Sequence, residues 1–124
     1  MPGRADLLDM LAAETNRRCA TIVEGVEQLA RSDTADPKRI ETLRVEAHGL
    51  KGAALVVGQD RIADLAREIE LTFAKCQPKG KISVPLSAKL IAATSALHEG
   101  AQAVAEELDE PPAVADALAA LKSA

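Results

Sequence analysis

The chain is poor in aromatic residues and in cysteine, and each shortage excludes a class of protein. Its 124 residues include no Trp, no Tyr and a single Phe, Phe73, although 48% of them are hydrophobic. Strands favour aromatic and β-branched side chains, whereas Ala and Leu lead the helix scale, so this Ala- and Leu-rich composition predicts an all-α domain. Two cysteines, Cys19 and Cys76, supply neither a disulfide framework nor a four-ligand zinc site.

Excess basic charge and long apolar runs are also missing. Fifteen Lys and Arg residues stand against 19 Asp and Glu residues, which gives a formal net charge of −4. A nucleic-acid-binding domain carries a concentrated basic surface, often with stacking aromatics, so we expect no nucleic-acid partner. No apolar run approaches the ~20 residues that span a bilayer, and the N-terminus has no signal-peptide core. We therefore expect a cytoplasmic protein in a reducing compartment, without membrane association.

Apolar residues recur at steps of three or four along four segments, which is the pattern of amphipathic helices. The segments run from about Ala5 to Arg31, from Asp36-Pro37 to Gly58, from about Asp60 to Cys76, and from Ser83-Val84-Pro85 through Leu108 to the pair Pro111-Pro112. Capping residues followed by proline open the second and fourth segments, and Gly58 is placed to end the second.

Four amphipathic helices joined by short connections predict an antiparallel up-down four-helix bundle. We expect the bundle over residues 1–110 and a tail over residues 111–124. The tail can form a short C-terminal helix with Val114, Leu118 and Leu121 on one side. The connection from Lys79 to Pro85 is the only stretch that we expect to be extended.

The most informative stretch lies around His48, at the edge of the apolar stripe of the second helix. Arg44, Lys51, Gly52 and Leu55 lie one or two turns away and share one helical strip with His48. A mid-helix glycine costs about 1 kcal/mol relative to Ala. We therefore expect Gly52 to clear space beside the imidazole, and Leu55 to extend an apolar patch next to it.

Such a strip suits the acceptance of a phosphoryl group. A neutral imidazole nitrogen is a nucleophile near pH 7, and it must be exposed so that a donor reaches it in line. Lys51 can offset the charge of the phosphate. Glu70 on the third helix can hold the other imidazole nitrogen and fix its tautomer, because residues 48 and 70 lie at similar distances from the turn between two antiparallel helices.

The sequence resembles the signature of histidine phosphotransfer (HPt) domains at the run His48-Gly49-Leu50-Lys51-Gly52-Ala53-Ala54, followed by Gly58, Leu65 and Ile69-Glu70. The pattern is closest to the N-terminal phosphotransfer domains of chemotaxis-type histidine kinases. The motifs cover roughly residues 41–70, and the helical pattern extends the resemblance over residues 5–108.

The resemblance implies a role for each matching residue. It makes His48 the phosphoacceptor, Lys51 the cation beside the phosphate, Gly52 the small residue that admits a partner, and Glu70 the carboxylate on the other imidazole nitrogen. Chemotaxis-type members often have a second His three residues before the Glu. Arg67 occupies that position here, and we expect it to help hold phosphate.

The resemblance also implies partners. A histidine kinase or a phosphorylated receiver domain would load His48, and the aspartate of a response-regulator receiver would take the group. We expect Arg44, Leu55, Val56 and Arg67 to dock the receiver. The receiver brings its own Mg²⁺, so we expect no cofactor and no metal in this chain. Because it has no nucleotide-binding motif, we expect the chain to be a phosphoryl carrier and not an enzyme. Our default expectation for its oligomeric state is a monomer.

Two alternative interpretations stay open at this point. A helical module that binds receiver or kinase domains without being phosphorylated would share this sequence profile, and the exposure of His48 distinguishes the two. The chain also fits an excised N-terminal domain of a larger kinase, although Met1 and the tail after Pro111-Pro112 favour a free-standing protein. His98 has no matching neighbours, and we expect it to be a partly exposed structural residue.

Overall fold

The computed structural model describes residues 3–123, and these residues form five α-helices and no strand. The helices are α1 (Arg4–Arg31), α2 (Pro37–Val56), α3 (Asp60–Cys76), α4 (Val84–Ala105) and α5 (Pro112–Lys122). The predicted all-α class is confirmed. None of these helices is long and apolar enough to cross a membrane.

Local signals in the sequence set the helix boundaries. The Asp36 carboxylate accepts a hydrogen bond from the backbone N–H of Arg39 at 3.1 Å, and Ser83 caps α4 in the same way. A proline follows each cap in the first turn, where the missing N–H has no helical partner to lose. Gly58 follows α2 with a φ of +72°, a conformation that favours glycine, and so turns the chain into α3.

The helices α1 to α4 form a ring in which each packs against the helix before it and the helix after it, with α4 returning to α1. The helices α1 and α2 are antiparallel, because Arg18 contacts Glu46 whereas Gly25, later in α1, lies against Leu43, which is earlier in α2. The arrangement is the antiparallel bundle that the four periodic segments predicted.

Aliphatic side chains fill the interior of the bundle, together with the single aromatic residue, Phe73, which is fully buried. The few buried polar groups are satisfied locally. The Thr94 hydroxyl, for example, donates to the carbonyl of Leu90 at 2.7 Å. Within residues 3–123, none of the buried side chains carries a charge.

The predicted C-terminal helix exists as α5, which packs against α3 and α4. Its three predicted apolar residues, Val114, Leu118 and Leu121, are buried. An ion pair between Arg61 on α3 and Glu110, with nitrogen–oxygen distances of 3.2 Å, fixes the segment that leads into α5.

Two local predictions were wrong. The fourth helix ends at Ala105, so Leu108 lies beyond it and is exposed instead of extending the apolar stripe. Glu106 and Glu107 follow the helix, where its dipole disfavours negative charge, and Glu107 turns the chain with a φ of +58°. The connection before α4 is not extended throughout, because residues 77–80 form turns and Pro85 already belongs to the first helical turn, which its fixed φ suits.

Candidate functional site

His48 lies in the middle of α2, and 61% of its side chain is exposed. Ala47 and Leu50 on the same helix are fully buried, so the core face of α2 is anchored while the imidazole faces outward. A partner can therefore reach the imidazole, which a histidine buried for structural reasons would not allow.

Glu70 on α3 holds the imidazole of His48. The distance between His48 Nδ1 and Glu70 Oε2 is 3.0 Å, and only 14% of the Glu70 side chain is exposed. A carboxylate can only accept a hydrogen bond, so this contact selects the neutral tautomer that carries its hydrogen on Nδ1. The lone pair then lies on Nε2, the nitrogen that Glu70 does not contact.

Two cations contact the same carboxylate. Lys51 Nζ lies 3.3 Å from Oε1 of Glu70, and Arg44 Nη1 lies 3.2 Å from Oε2. The structure therefore brings Arg44, Lys51, His48 and Glu70 into one cluster across α2 and α3. Lys51 is next to the imidazole, as predicted for the phosphate-neighbouring cation, and here it pairs with Glu70.

A second carboxylate, Glu41, completes this charge cluster one turn before Arg44. Its hydrogen bonds to the Arg44 guanidinium lower the pKa of the Glu41 carboxyl. The same hydrogen bonds, together with the charges of Glu41 and Glu70, raise the pKa of Arg44. Exposed ion pairs of this kind contribute little to stability, so their significance here is geometric.

Open space lies beside the imidazole at Gly52. A Cβ atom placed on Gly52 would have no neighbouring heavy atom within 4 Å. Arg67 is exposed on α3, one turn before Glu70, which the antiparallel packing places at the level of Lys51. The structure therefore leaves Gly52 open and Arg67 exposed, and their predicted roles in access and phosphate binding stay predictions.

A third arginine, Arg18 of α1, was not identified from the sequence. Its guanidinium lies across the backbone of Gly49, where a Cβ atom would overlap it. It is held by Glu14 at 2.8 Å on its own helix and contacts Glu46 of α2 at 3.4 Å. A glycine directly after the histidine signals a close approach, but the sequence does not show which side chain makes it.

Apolar side chains are exposed on the same face of α2. Leu55 and Val56, both predicted docking residues, are 54% and 70% exposed, and Val45, which precedes His48 by one turn on the same helix, is exposed as well. Met10 of α1 is exposed as well, and together with Val56 it lines a small groove of about 100 Å³ between the two helices. We call these four residues, Met10, Val45, Leu55 and Val56, the apolar patch. Of these four, Leu55 and Val56 were predicted from the sequence as docking residues, and Met10 and Val45 were not.

The second histidine is not part of this cluster. His98 on α4 is half-buried and hydrogen-bonds to Asn16 of α1, which agrees with the predicted structural role. Within residues 3–123, no group of three or more His, Cys, Asp or Glu side chains is placed to hold a metal ion.

The fold and the site define a class of protein: an antiparallel helical bundle that presents an exposed histidine whose ring is held by a carboxylate of the next helix. The family model of the Hpt domain matches residues 6–124, and the chain therefore belongs to the Hpt domain family. Hpt domains are histidine phosphotransfer modules of phosphorelays, which carry phosphoryl groups and interact with kinases and receiver domains. The matched range includes α5. No curated protein matches the chain significantly.

Proposed function

We propose that the chain is a phosphoryl carrier whose His48 exchanges a phosphoryl group with the aspartate of a response-regulator receiver domain. The observation that carries this proposal is the 3.0 Å contact between Glu70 and the exposed imidazole of His48. A ring held at Nδ1 presents its Nε2 lone pair as the nucleophile.

The transfer is a displacement at phosphorus. The Nε2 lone pair of His48 attacks the phosphorus of the receiver's aspartyl phosphate, and a nitrogen–phosphorus bond forms as the bond to the aspartate oxygen breaks. The aspartate leaves as a carboxylate with the bonding electron pair. His48 keeps its proton on Nδ1 and becomes a cation, which the carboxylate of Glu70 stabilises. The reverse displacement returns the group to a receiver.

Nearby cations suit the phosphorylated state. A phosphoryl group adds a charge of about −1.5 to −2 at pH 7. Lys51 contacts Oε1 of Glu70, the oxygen that His48 does not contact, and its flexible stem lets the ammonium turn towards a phosphate on Nε2. Arg67 adds an exposed cation at the same level, and Gly52 leaves the approach open.

The apolar patch supplies the receiver-docking surface in this proposal, with Arg44 and Arg67 beside it. Such interfaces are modest and transient, which suits a carrier that must release its partner. Mg²⁺ and most of the catalysis come from the receiver, so the chain needs no cofactor, and a histidine kinase supplies the phosphoryl group to the relay. We place this carrier in the cytoplasm as a monomer, where its free cysteines, Cys19 and Cys76, stay reduced.

A comparison of two histidine variants tests the proposal. The wild type, His48→Gln and His98→Gln are each mixed with a panel of phosphorylated receiver domains. We expect an acid-labile, base-stable phosphoryl group on the wild type and on His98→Gln, and none on His48→Gln, while circular dichroism shows the same helicity in all three.

Phosphoryl uptake by His48→Gln would refute the proposal. If the folded wild type bound the receivers without taking up phosphate, the chain would instead be a helical module that only binds. That alternative would leave the fold and the family assignment unchanged.

A further inference from the structure

Arg44 connects two carboxylates that belong to different helices. Its Nε and Nη2 atoms donate to the two oxygens of Glu41 at 3.0 and 2.6 Å. Its remaining nitrogen, Nη1, donates to Oε2 of Glu70 at 3.2 Å. The guanidinium is planar and rigid, so a fork fixed on Glu41 also fixes the direction of the third N–H group.

The oxygen that Arg44 contacts on Glu70 is the one that holds His48. Oε2 receives both Arg44 Nη1 and His48 Nδ1, while Oε1 receives Lys51 Nζ. Both oxygens of this carboxylate are therefore occupied. The 14% exposure of the Glu70 side chain leaves water little access to compete with these contacts.

From this geometry we infer that Arg44 is a positioning residue, which uses Glu41 as an anchor to hold Glu70 against Nδ1 of His48. The inference deepens the proposed function and rests on it, because it assigns to Arg44 a role in preparing the nucleophile in addition to docking. Outer groups that orient a histidine typically change its activity by about 10-fold or more when they are removed.

If Arg44 positions Glu70, its loss should release the ring and shift His48 towards the Nε2–H tautomer. If Arg44 acted through its charge alone, its loss should have the opposite effect. The positive charge of Arg44 draws electron density from Glu70 and weakens its hold on the Nδ1 hydrogen, so loss of the charge would strengthen the bias towards that tautomer. The other charged groups around the ring, Lys51 on α2 and Arg67 on α3, stay the same in either case. A lysine at position 44 keeps the charge but cannot form the fork.

The test is a measurement of the tautomer ratio of His48 by ¹⁵N NMR in the unphosphorylated protein, combined with the rate of phosphoryl transfer from one receiver. Arg44→Gln and Arg44→Lys are compared with Glu70→Ala, which defines the released ring. We expect both Arg44 variants to shift the ratio towards Nε2–H, to more than half the extent seen in Glu70→Ala, and to slow transfer by about 10-fold.

Arg61→Gln is the matched control, because it removes another arginine–carboxylate pair that faces Glu110. We expect it to leave the ratio and the rate unchanged. Glu41→Gln tests the anchor independently and is expected to shift the ratio in the same direction as Arg44→Gln.

A wild-type ratio in Arg44→Gln, or a stronger Nδ1–H bias, would overturn the inference, and so would full rescue by Arg44→Lys. Slower transfer with an unchanged ratio would also overturn it and would leave Arg44 as a docking residue only. The ratio is measured without phosphate, so it reports on Arg44 even if His48 accepts no phosphoryl group, in which case the proposed function alone fails.

Discussion

Replacement of Gly52 by alanine should make the protein more stable and less active. Gly52 lies in the interior of α2, one turn after His48, and a Cβ atom there would meet no heavy atom within 4 Å. The isolated protein thus offers no steric reason for a glycine at this position. We expect the reason to lie in the partner that approaches this surface.

The stability gain follows from helix propensity. Glycine in an exposed helix interior is less favourable than alanine by about 0.8–1.0 kcal/mol. For a domain of this size, that gain should raise the midpoint of thermal unfolding by about 3–5 °C. Gly100→Ala is the matched control in α4, since its Cβ atom would lie 2.6 Å from Ile62 Cδ1 and 3.0 Å from Val114 Cγ2. We expect that variant to lose stability through overpacking.

We expect the loss of activity because the methyl group that alanine adds at position 52 would collide with a docked receiver. A close contact that must give way costs about 1–3 kcal/mol, which corresponds to roughly a 5- to 160-fold slower transfer. Gly52→Ala should fall at the low end of this range, and Gly52→Gln should be slower still.

Two rates separate access from chemistry. The first is transfer from a phosphorylated receiver, and the second is phosphorylation by phosphoramidate, a donor small enough to reach His48 without docking. We expect the Gly52 variants to slow the first and leave the second unchanged. Wild-type transfer rates in both Gly52 variants would refute the argument about access, and a lower thermal midpoint in Gly52→Ala would refute the argument about propensity.

Two further predictions concern the apolar patch and the pH dependence of stability. Val56→Ser should weaken receiver binding without a loss of stability. The control Leu108→Ser, at a position that is 63% exposed, should leave receiver binding and stability unchanged. If a binding titration showed the same affinity for the two variants, it would contradict the docking role of Val56. Hydrogen bonding from Arg18 lowers the pKa of Glu14 below its usual 4.5, so this pair stabilises the fold above pH 4.5 and the contribution is lost as the pH falls through the lowered pKa. Glu14→Gln should therefore flatten the fall of the thermal midpoint between pH 4.5 and pH 3, and an unchanged slope would show that the pair contributes nothing.

The helices could be predicted because burial and local capping act through short-range patterns. Steps of three and four residues place Leu43, Ala47 and Leu50 on one buried face of α2, and Asp36 caps that helix as its sequence indicates. The end of α4 could not be predicted from periodicity, because Leu108 continues the apolar spacing after the backbone has already turned at Glu107.

The histidine and its carboxylate could also be predicted, since the turn between α2 and α3 fixes which residues face each other. The same reasoning does not reach long side chains. Arg44 forms its fork with Glu41, and Arg18 lies over Gly49. Each arginine has more than one carboxylate within reach, so the spacing of the residues does not determine which rotamer it adopts. Sequence spacing limits the possible partners, and only the packed structure selects among them.

Two of the cations near His48 are paired with carboxylates in the unphosphorylated protein. Arg44 and Lys51 face Glu41 and Glu70, so the unphosphorylated site holds its cations in place without leaving them uncompensated. A phosphoryl group on Nε2 brings a charge of about −1.5 to −2 and makes the ring a cation. We then expect the Glu70 carboxylate to stabilise the cationic ring, and the flexible side chain of Lys51 to turn towards the phosphate. In the proposed phosphorylated state we expect Arg44 to stay fixed by Glu41, so that the carboxylate keeps its orientation while Lys51 turns to the phosphate.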